Sequence, residues 1–192
     1  MDTVPDWMIP PRIEGWYADD LDHLPDVPQH VELIDGILVL SGWPRQQWHS
    51  RLVSTLARAL GKQAPADIHI EAQMTIRLDE RSRLEPDLLA TTAAYNPDRT
   101  FFTPDEALLV VEVESPESAH CDRTVKLHKY AEASIAHYWR IEEEDSSPVV
   151  YAYELDESTR AYVAIGIHRG TLRLAVPFEM TIDLDKLLPA RR

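Results

Sequence analysis

The sequence predicts a β-sheet with helices packed against it, of the α/β or α+β class, and three observations carry that prediction. Residues 108–115, LLVVEVES, form an apolar run that is rich in β-branched residues and bounded by Pro104 and Pro116, the pattern of a strand covered on both faces. A helical pattern follows at 121–133, and a second strand pattern, AHYWRIE, follows at 136–142. A strand, a helix and a further strand in that order favour a layered sheet protein.

The N-terminal elements are predicted from proline content and hydrophobic spacing. Residues 1–30 contain five prolines, and residues 1–35 hold nine acids against the single base Arg12, so we expect residues 1–30 to form an irregular acidic arm with at most a short helix around 16–24. VELIDGILVL at 31–40 is typical of a hairpin that turns at Asp35-Gly36. From residue 44 to about 63, apolar residues recur at helical spacing, which predicts an amphipathic helix.

The remaining elements are mainly strands. Residues 68–78 and 84–90 are predicted to form one hairpin with a polar turn between its strands, the second of which is interrupted by Pro86. Residues 91–105 are predicted as a loop, and the acidic run at 142–145 as a turn. The C-terminal part offers VVYAYEL and AYVAIGI as a hairpin, then TLRLAV and a short element around 183–188.

Composition bounds the class of protein. A chain of 192 residues with 44% hydrophobic and 27% charged residues is long enough for one well-buried core, so we expect residues 31–192 to form a single domain behind the arm. The sequence shows neither a signal peptide nor an apolar run long enough to span a bilayer, which predicts a cytoplasmic protein with no membrane partner. The single cysteine, Cys121, excludes an intrachain disulfide.

The net charge of the chain argues against a protein that binds nucleic acid non-specifically along its length. The net charge is −14, whereas affinity for phosphate depends on Lys and Arg. The charge is uneven, however, because residues 45–83 hold seven Lys and Arg residues against four acids. These basic residues form either a locally positive surface or the solvated faces of a helix and a hairpin.

Two carboxylates on the buried strand are the first functional signal. Side chains alternate along a strand, so Glu112 and Glu114 share one face. A buried carboxylate requires a partner, a metal or a wet cleft. Two like charges so close together are also expected to raise the pKa of at least one of them. A strand end emerging into solvent beside an Arg or Lys is the alternative.

A metal site is predicted where neighbouring strands meet the following helix. Asp87, Glu112 and Lys126 come from two strands and that helix, and Mg²⁺ typically binds one or two carboxylates with several waters. On the helix, Asp122, Lys126 and Tyr130 share a face at i, i+4 and i+8. The alternative is a plain Asp122–Lys126 helix pair with Tyr130 as edge packing.

Several motifs in this order resemble one known family. They are VELIDGILV, the helix start that contains His49, EPDLLA, LLVVEVESPES, the D-x-x-x-K-x-x-x-Y pattern of DRTVKLHKY, and AHYWRI. From about Val31 to the C-terminus the chain resembles the Uma-two family of restriction-endonuclease-like proteins, a branch of the PD-(D/E)xK nuclease superfamily. The resemblance implies a restriction-endonuclease-like α/β core, a mixed sheet flanked by helices, with a β-rich C-terminal extension.

The resemblance also implies roles for individual residues. Asp87 and Glu112 would bind the metal and Lys126 would be the catalytic lysine, displaced from the strand to the helix. Glu114 stands where the superfamily usually has that lysine, so activity depends on whether Lys126 reaches the site. Two further residues match family positions: Glu32, which faces the same cleft or forms a structural ion pair, and His49, which is a ligand or a structural histidine.

The function expected from these residues is Mg²⁺-dependent hydrolysis of DNA phosphodiester bonds, with Mn²⁺ as an alternative cation and a homodimer as the assembly that cuts two strands. Two other functions stay open: a catalytically silent interaction module on the same fold, and a metal-dependent hydrolase of a small phosphoester. An open cleft rimmed by Arg77, Arg81 and Arg83 favours the nuclease, whereas a cleft closed to a duplex favours the small substrate.

Overall fold

The computed structural model of the protein describes residues 5–24, 30–40, 46–116 and 118–189. Its strands are β1 (Val31–Ile34), β2 (Ile37–Leu40), β3 (His69–Ala72), β4 (Thr75–Arg77), β5 (Arg83–Leu84), β6 (Leu88–Thr91), β7 (Phe101–Phe102), β8 (Ala107–Val113), β9 (His137–Glu144), β10 (Ser147–Asp156), β11 (Ala161–His168), β12 (Thr171–Leu174) and β13 (Met180–Asp183). Its helices are α1 (Gln47–Gly61) and α2 (Leu127–Glu132), and a π-helical turn, Cys121–Lys126, leads directly into α2. Short 3₁₀ turns span Asp6–Met8, Ala18–Asp22, Pro104–Glu106 and Leu184–Lys186.

A six-stranded sheet in the order β11-β10-β9-β8-β6-β3 forms the centre of the fold. Strands β8 and β9 are parallel and the other pairs are antiparallel. Parallel neighbours require a crossover, which the π-helical turn and α2 supply here. The prediction of a mixed sheet with helices packed against it is confirmed.

Helix α1 covers one face of this sheet and α2 covers the other. Leu52 and Leu56 of α1 lie in one core cluster with Val111 of β8, whereas Tyr130 of α2 lies in a second cluster with Val110. Alternation along β8 sends Val111 and Val110 to opposite faces, as the buried-strand pattern predicted. The short β12–β13 sheet adds further apolar side chains to the α1 side.

The predicted hairpin of 68–78 with 84–90 is divided between two sheets; the interruption predicted at Pro86 is present, but the prediction of an unbroken strand at 68–78 is wrong. Its base pairs β3 with β6 in the six-stranded sheet, and its tip pairs β4 with β5 in a five-stranded sheet of order β2-β1-β5-β4-β7. Both strands break at the same level, one at Gln73 with φ of 57° and the other at Pro86, which has no N–H to donate. The bend places Asp87 next to the end of β8.

Two other predictions about loops are correct only in part. The loop at 91–105 contains β7, which pairs in parallel with β4. The acidic run at 142–145 is mostly strand, because β9 continues to Glu144 and the turn falls at Asp145-Ser146, both with positive φ. Arginine partners for Glu142 and Glu144 neutralise the charges that suggested a turn.

The N-terminal residues that the structure describes pack against the five-stranded sheet. Trp16 and Ala18 lie in a buried cluster with Leu33 of β1. The 3₁₀ turn Ala18–Asp22 lies within the range predicted for a short helix, while residues 1–4 and 25–29 of the predicted arm lie outside the described residues, as does the predicted helix start at 44–45. Within the described ranges, no helix is long and apolar enough to span a membrane.

Candidate active site

A cleft of about 570 Å³ opens where the start of α1, the ends of β6 and β8 and the π-helical turn meet. Its charged lining, among the described residues, comprises eight acids, two basic residues and one histidine: Glu32, Glu85, Asp87, Glu112, Glu114, Asp122, Glu142, Glu143, Arg123, Lys126 and His49. The cleft is therefore strongly acidic.

Asp87 is held at the end of β8 by two groups. Its Oδ2 accepts a hydrogen bond of 2.8 Å from the backbone N–H of Val113 and lies 3.2 Å from Nε2 of His49. Asp87 lies between β5 and β6, directly after Pro86, and its backbone carbonyl accepts a hydrogen bond from the N–H of Gln73 on the opposite strand. Asp87 and His49 are both buried.

Glu112 is fixed from the α2 side of the sheet. Its Oε1 accepts hydrogen bonds from Tyr130 Oη at 2.7 Å and from Lys126 Nζ at 3.1 Å. Burial raises the pKa of Glu112 well above its usual range; Lys126 opposes this rise, and the nearby carboxylates of Asp122, Asp87 and Glu32 add to it. Both donors converge on Oε1, so Oε2 is the oxygen that neither of them engages.

Lys126 is the centre of the cluster. Its Nζ lies 2.9 Å from Glu32, 3.1 Å from Glu112 and 3.7 Å from Asp122. Burial acts to lower the pKa of Lys126, but the three carboxylates outweigh it and raise that pKa well above its usual range. Lys126 is therefore a fixed positive charge at neutral pH and a poor proton acceptor. Glu32 is held in turn by the backbone N–H of Glu85 at 2.8 Å.

The buried charges do not balance. The carboxylates of Glu32, Glu112 and Asp122 are at most 3% exposed, and among the described residues the buried cation that contacts all three is Lys126, 6% exposed. Burial raises the pKa of Asp122 to about 6 although Lys126 and Ser118 oppose the shift. Buried carboxylates of this kind need protons or a cation. Two buried polar atoms of the cluster, His49 Nδ1 and Asp122 Oδ1, also lack a hydrogen-bond partner among the described residues.

The structure brings together nearly all the side chains that the sequence singled out. Asp87, Glu112, Lys126, Glu32, His49 and Asp122 all line this one cleft, and Tyr130 contacts it through Glu112. The helix face predicted for Asp122, Lys126 and Tyr130 exists, because all three are buried on the same side. The alternative of an isolated, solvent-exposed helix pair does not fit this burial.

Glu114 behaves differently from the prediction. It lies just after the end of β8 and receives two hydrogen bonds from Arg123, Nε to Oε2 at 2.8 Å and Nη2 to Oε1 at 2.6 Å. The expected repulsion between Glu114 and Glu112 is not what raises the pKa of Glu112, since burial and other carboxylates cause that shift. The arginine beside Glu114 matches the alternative that placed an Arg or Lys at this strand end.

The arginines predicted to rim an open cleft lie elsewhere. Arg83 is buried and bonds to Asp22 at 2.9 Å, Arg77 bonds to Asp19, and Arg81 donates to the carbonyl of Glu14. They attach the acidic N-terminal segment to the five-stranded sheet, so they form neither a positive cleft rim nor a purely solvated face. That segment and these arginines account for much of the uneven charge along the chain.

Sequence reasoning overlooked the ion-pair cluster at the mouth of the cleft. Arg123 joins Glu114 to Glu142 of β9, and Arg140 lies 2.6 Å from Glu142 and 3.7 Å from Glu114. The register of the parallel strands β8 and β9 would have indicated this cluster. Glu112 lies opposite Arg140, which places Glu114 level with Glu142. Two like charges side by side require a cation between them.

A preformed metal cage is absent from the described part of the chain. Across residues 5–24, 30–40, 46–116 and 118–189, no three or more His, Cys, Asp and Glu side chains are arranged so that they could hold a metal ion. Mg²⁺ does not require such a cage, because it usually binds one or two carboxylates and keeps several waters. The carboxylate oxygens of Asp87 and Glu112 are donors of the type and number that this coordination requires.

Comparison with known proteins adds independent findings. A family model described as "Uma2: Putative restriction endonuclease" matches residues 18–185. No curated protein sequence matches the chain significantly. Among solved structures, the chain is similar to a "putative nuclease belonging to DUF820" from Anabaena variabilis ATCC 29413, with 14% identity and a TM-score of 0.70 over 88% of this chain and 95% of that one. At that identity the likeness shows the fold, which is the restriction-endonuclease-like fold that the sequence resemblance implied.

Proposed function

This chain belongs to the Uma2 family, and on that premise we propose that it is a nuclease that hydrolyses DNA phosphodiester bonds with a divalent cation, Mg²⁺ or Mn²⁺. The observation that carries the proposal is the excess negative charge around Lys126, where three buried carboxylates, Glu32, Glu112 and Asp122, face one buried lysine among the described residues. A divalent cation would remove most of that imbalance.

The ligands proposed for the cation are Asp87 and Glu112, with the main-chain carbonyl of Val113 as a third oxygen donor. Two observations support this set: the backbone N–H of Val113 donates to Asp87, and Asp87 and Glu112 line the same cleft. All three are hard oxygen ligands of the kind that Mg²⁺ and Mn²⁺ prefer. When bound, the cation would supply Lewis-acid polarisation of the scissile phosphate.

The other catalytic roles are assigned to side chains of the cleft. Lys126 reaches Glu112 at 3.1 Å from its position on the helix, so Glu114 in the usual lysine position does not remove the lysine from the site. Because its pKa is raised, we assign Lys126 to orienting the attacking water and offsetting negative charge that develops at phosphorus, not to accepting a proton. Tyr130 and His49 would hold the two metal-binding carboxylates in place.

A second candidate is hydrolysis of a small phosphoester by the same residues. Eight acids line the cleft in the described part of the chain. Arg77, Arg81 and Arg83 lie elsewhere, so these three arginines do not form the positive rim that was expected for duplex DNA. A homodimer would be required for cutting both strands of a duplex but not for a small substrate.

The test is a cleavage assay with Mg²⁺ or Mn²⁺ on single-stranded DNA, duplex DNA and a small phosphodiester such as bis(p-nitrophenyl) phosphate. The wild type should cut DNA, and Asp87→Ala should abolish cleavage, while the exposed Asp67→Ala should match the wild type. Cleavage of the small diester alone would favour the second candidate. No cleavage by a wild type that binds Mn²⁺ would favour a silent interaction module.

A further inference from the structure

We propose that Arg123 is the residue that binds the substrate's phosphate at the mouth of the cleft, and that Glu114 and Glu142 hold its guanidinium in position. This inference rests on the proposed function, because it assumes a phosphate-bearing substrate. It assigns a binding role to an arginine outside the metal-binding set and a positioning role to the glutamate that replaces the superfamily's lysine.

Charge is the first argument. An acidic cleft repels a phosphodiester, so a substrate needs a positive group at the entrance. Of the two basic residues that line the described cleft, Lys126 is buried and already contacts three carboxylates. The side chain of Arg123 is 47% exposed, and it is therefore the lining cation that an incoming phosphate can reach.

Geometry is the second argument. Glu114 binds Arg123 through Nε and Nη2, and Glu142 contacts Nη2 at 3.0 Å. Among the described residues, all these contacts use one edge of the guanidinium, which leaves the two N–H groups of Nη1 for a ligand. A guanidinium fixed by a bidentate carboxylate loses less side-chain entropy when it binds phosphate.

Position is the third argument. Arg123 precedes Lys126 by three residues within the π-helical turn, so both project toward the same cleft. Isolated π-helical turns frequently occur at functional sites, because the wider turn changes where side chains point. The carboxylates that hold Arg123 come from the ends of adjacent parallel strands, β8 and β9. Arg140 contacts the same two carboxylates, so Arg123 is not their sole counter-ion and its charge is not fully used by them.

The experiment measures binding, which does not depend on cleavage. Thymidine 3′,5′-bisphosphate contains phosphate groups but no internucleotide bond, and its affinity in the presence of Mn²⁺ is measured by calorimetry for the wild type, Arg123→Gln, Arg123→Lys and Arg169→Gln. Arg169 is the matched control: it is 57% exposed and also bonds a glutamate, Glu144, but it does not line the cleft. Thermal unfolding of each variant verifies that it is folded.

We expect both Arg123 variants to bind the bisphosphate at least about 10-fold more weakly, since lysine cannot reproduce the forked contact, and Arg169→Gln to stay within about twofold of the wild type. Glu114→Gln should weaken binding by a smaller factor, because Glu142 still holds Arg123. Unchanged affinity in Arg123→Gln, equal losses in the Arg123 and Arg169 variants, or no binding by the wild type would each overturn the inference. Arg123-dependent binding by a wild type that cuts no DNA would instead uphold the inference and refute the proposed nuclease activity.

Discussion

Replacing Asp122 by asparagine should stabilise the metal-free protein at neutral pH. Burial raises the pKa of Asp122 from its ordinary value of 3.8 to about 6, even with Lys126 at 3.7 Å. A shift of about two units corresponds to roughly 3 kcal/mol at about 1.4 kcal/mol per unit, so the ionised carboxylate costs the fold about that much above pH 6. Asparagine keeps the shape and removes the ionisation.

The sign of the pH dependence follows from proton binding. Because the folded state binds this proton more tightly than the unfolded chain, the stability of the wild type declines as pH rises from about 4 to about 6. Urea unfolding in EDTA should therefore show Asp122→Asn more stable by about 2–3 kcal/mol at pH 7.5 and nearly equal to the wild type at pH 4. The exposed Asp67→Asn serves as the control and should change stability by less than about 0.5 kcal/mol.

A destabilised Asp122→Asn variant at pH 7.5 would refute this reasoning. It would mean that the Asp122–Lys126 contact is a net stabilising ion pair and that the cleft does not store uncompensated negative charge. The same result would weaken the case for a cation at Asp87 and Glu112.

Three further predictions concern neighbouring side chains. Tyr130→Phe removes a buried 2.7 Å hydrogen bond to Glu112 and should lower the free energy of unfolding by about 1–3 kcal/mol in urea; an unchanged value would show that the bond is not formed. Lys126→Ala removes the cation that contacts Glu32 and Glu112 and should lower the free energy of unfolding by about 3–5 kcal/mol without metal. Added Mn²⁺ should restore part of that stability, and equal stability with and without Mn²⁺ would argue against a metal site. Arg83→Met breaks bonds to Asp22 and Thr75 and should lower the melting temperature by several degrees; a melting temperature equal to that of the wild type would show that the arginine does not anchor the N-terminal segment.

The secondary structure followed from local patterns wherever those patterns were strong. Helical periodicity identified α1, and a continuous apolar run bounded by prolines identified β8, because both signals lie within a short stretch of the chain. The break at Gln73 and Pro86 was not predictable in the same way. Proline marked one strand as interrupted, but only packing shows that the opposite strand bends at the same level and joins a second sheet.

The position of the cleft could also be predicted in part. Alternation and the family resemblance selected Asp87, Glu112 and Lys126, and the structure places all three in one cleft, although their catalytic roles remain proposals. The partners of Glu114 depend on the parallel register of β8 and β9 and on the π-helical turn, which single-residue propensities do not encode. Helix spacing likewise could not show that Lys126 contacts three buried carboxylates, which is why its replacement is expected to cause a large loss of stability.

Calorimetric titration with Mn²⁺ of the wild type, Asp87→Asn and the exposed Asp67→Asn tests the central claim, that the cleft's excess negative charge forms a cation site. We expect the wild type and Asp67→Asn to bind Mn²⁺ with equal affinity and Asp87→Asn to bind at least about 10-fold more weakly, since a ligand carboxylate is lost. Equal Mn²⁺ affinity in all three proteins, or no binding by the wild type, would contradict the claim.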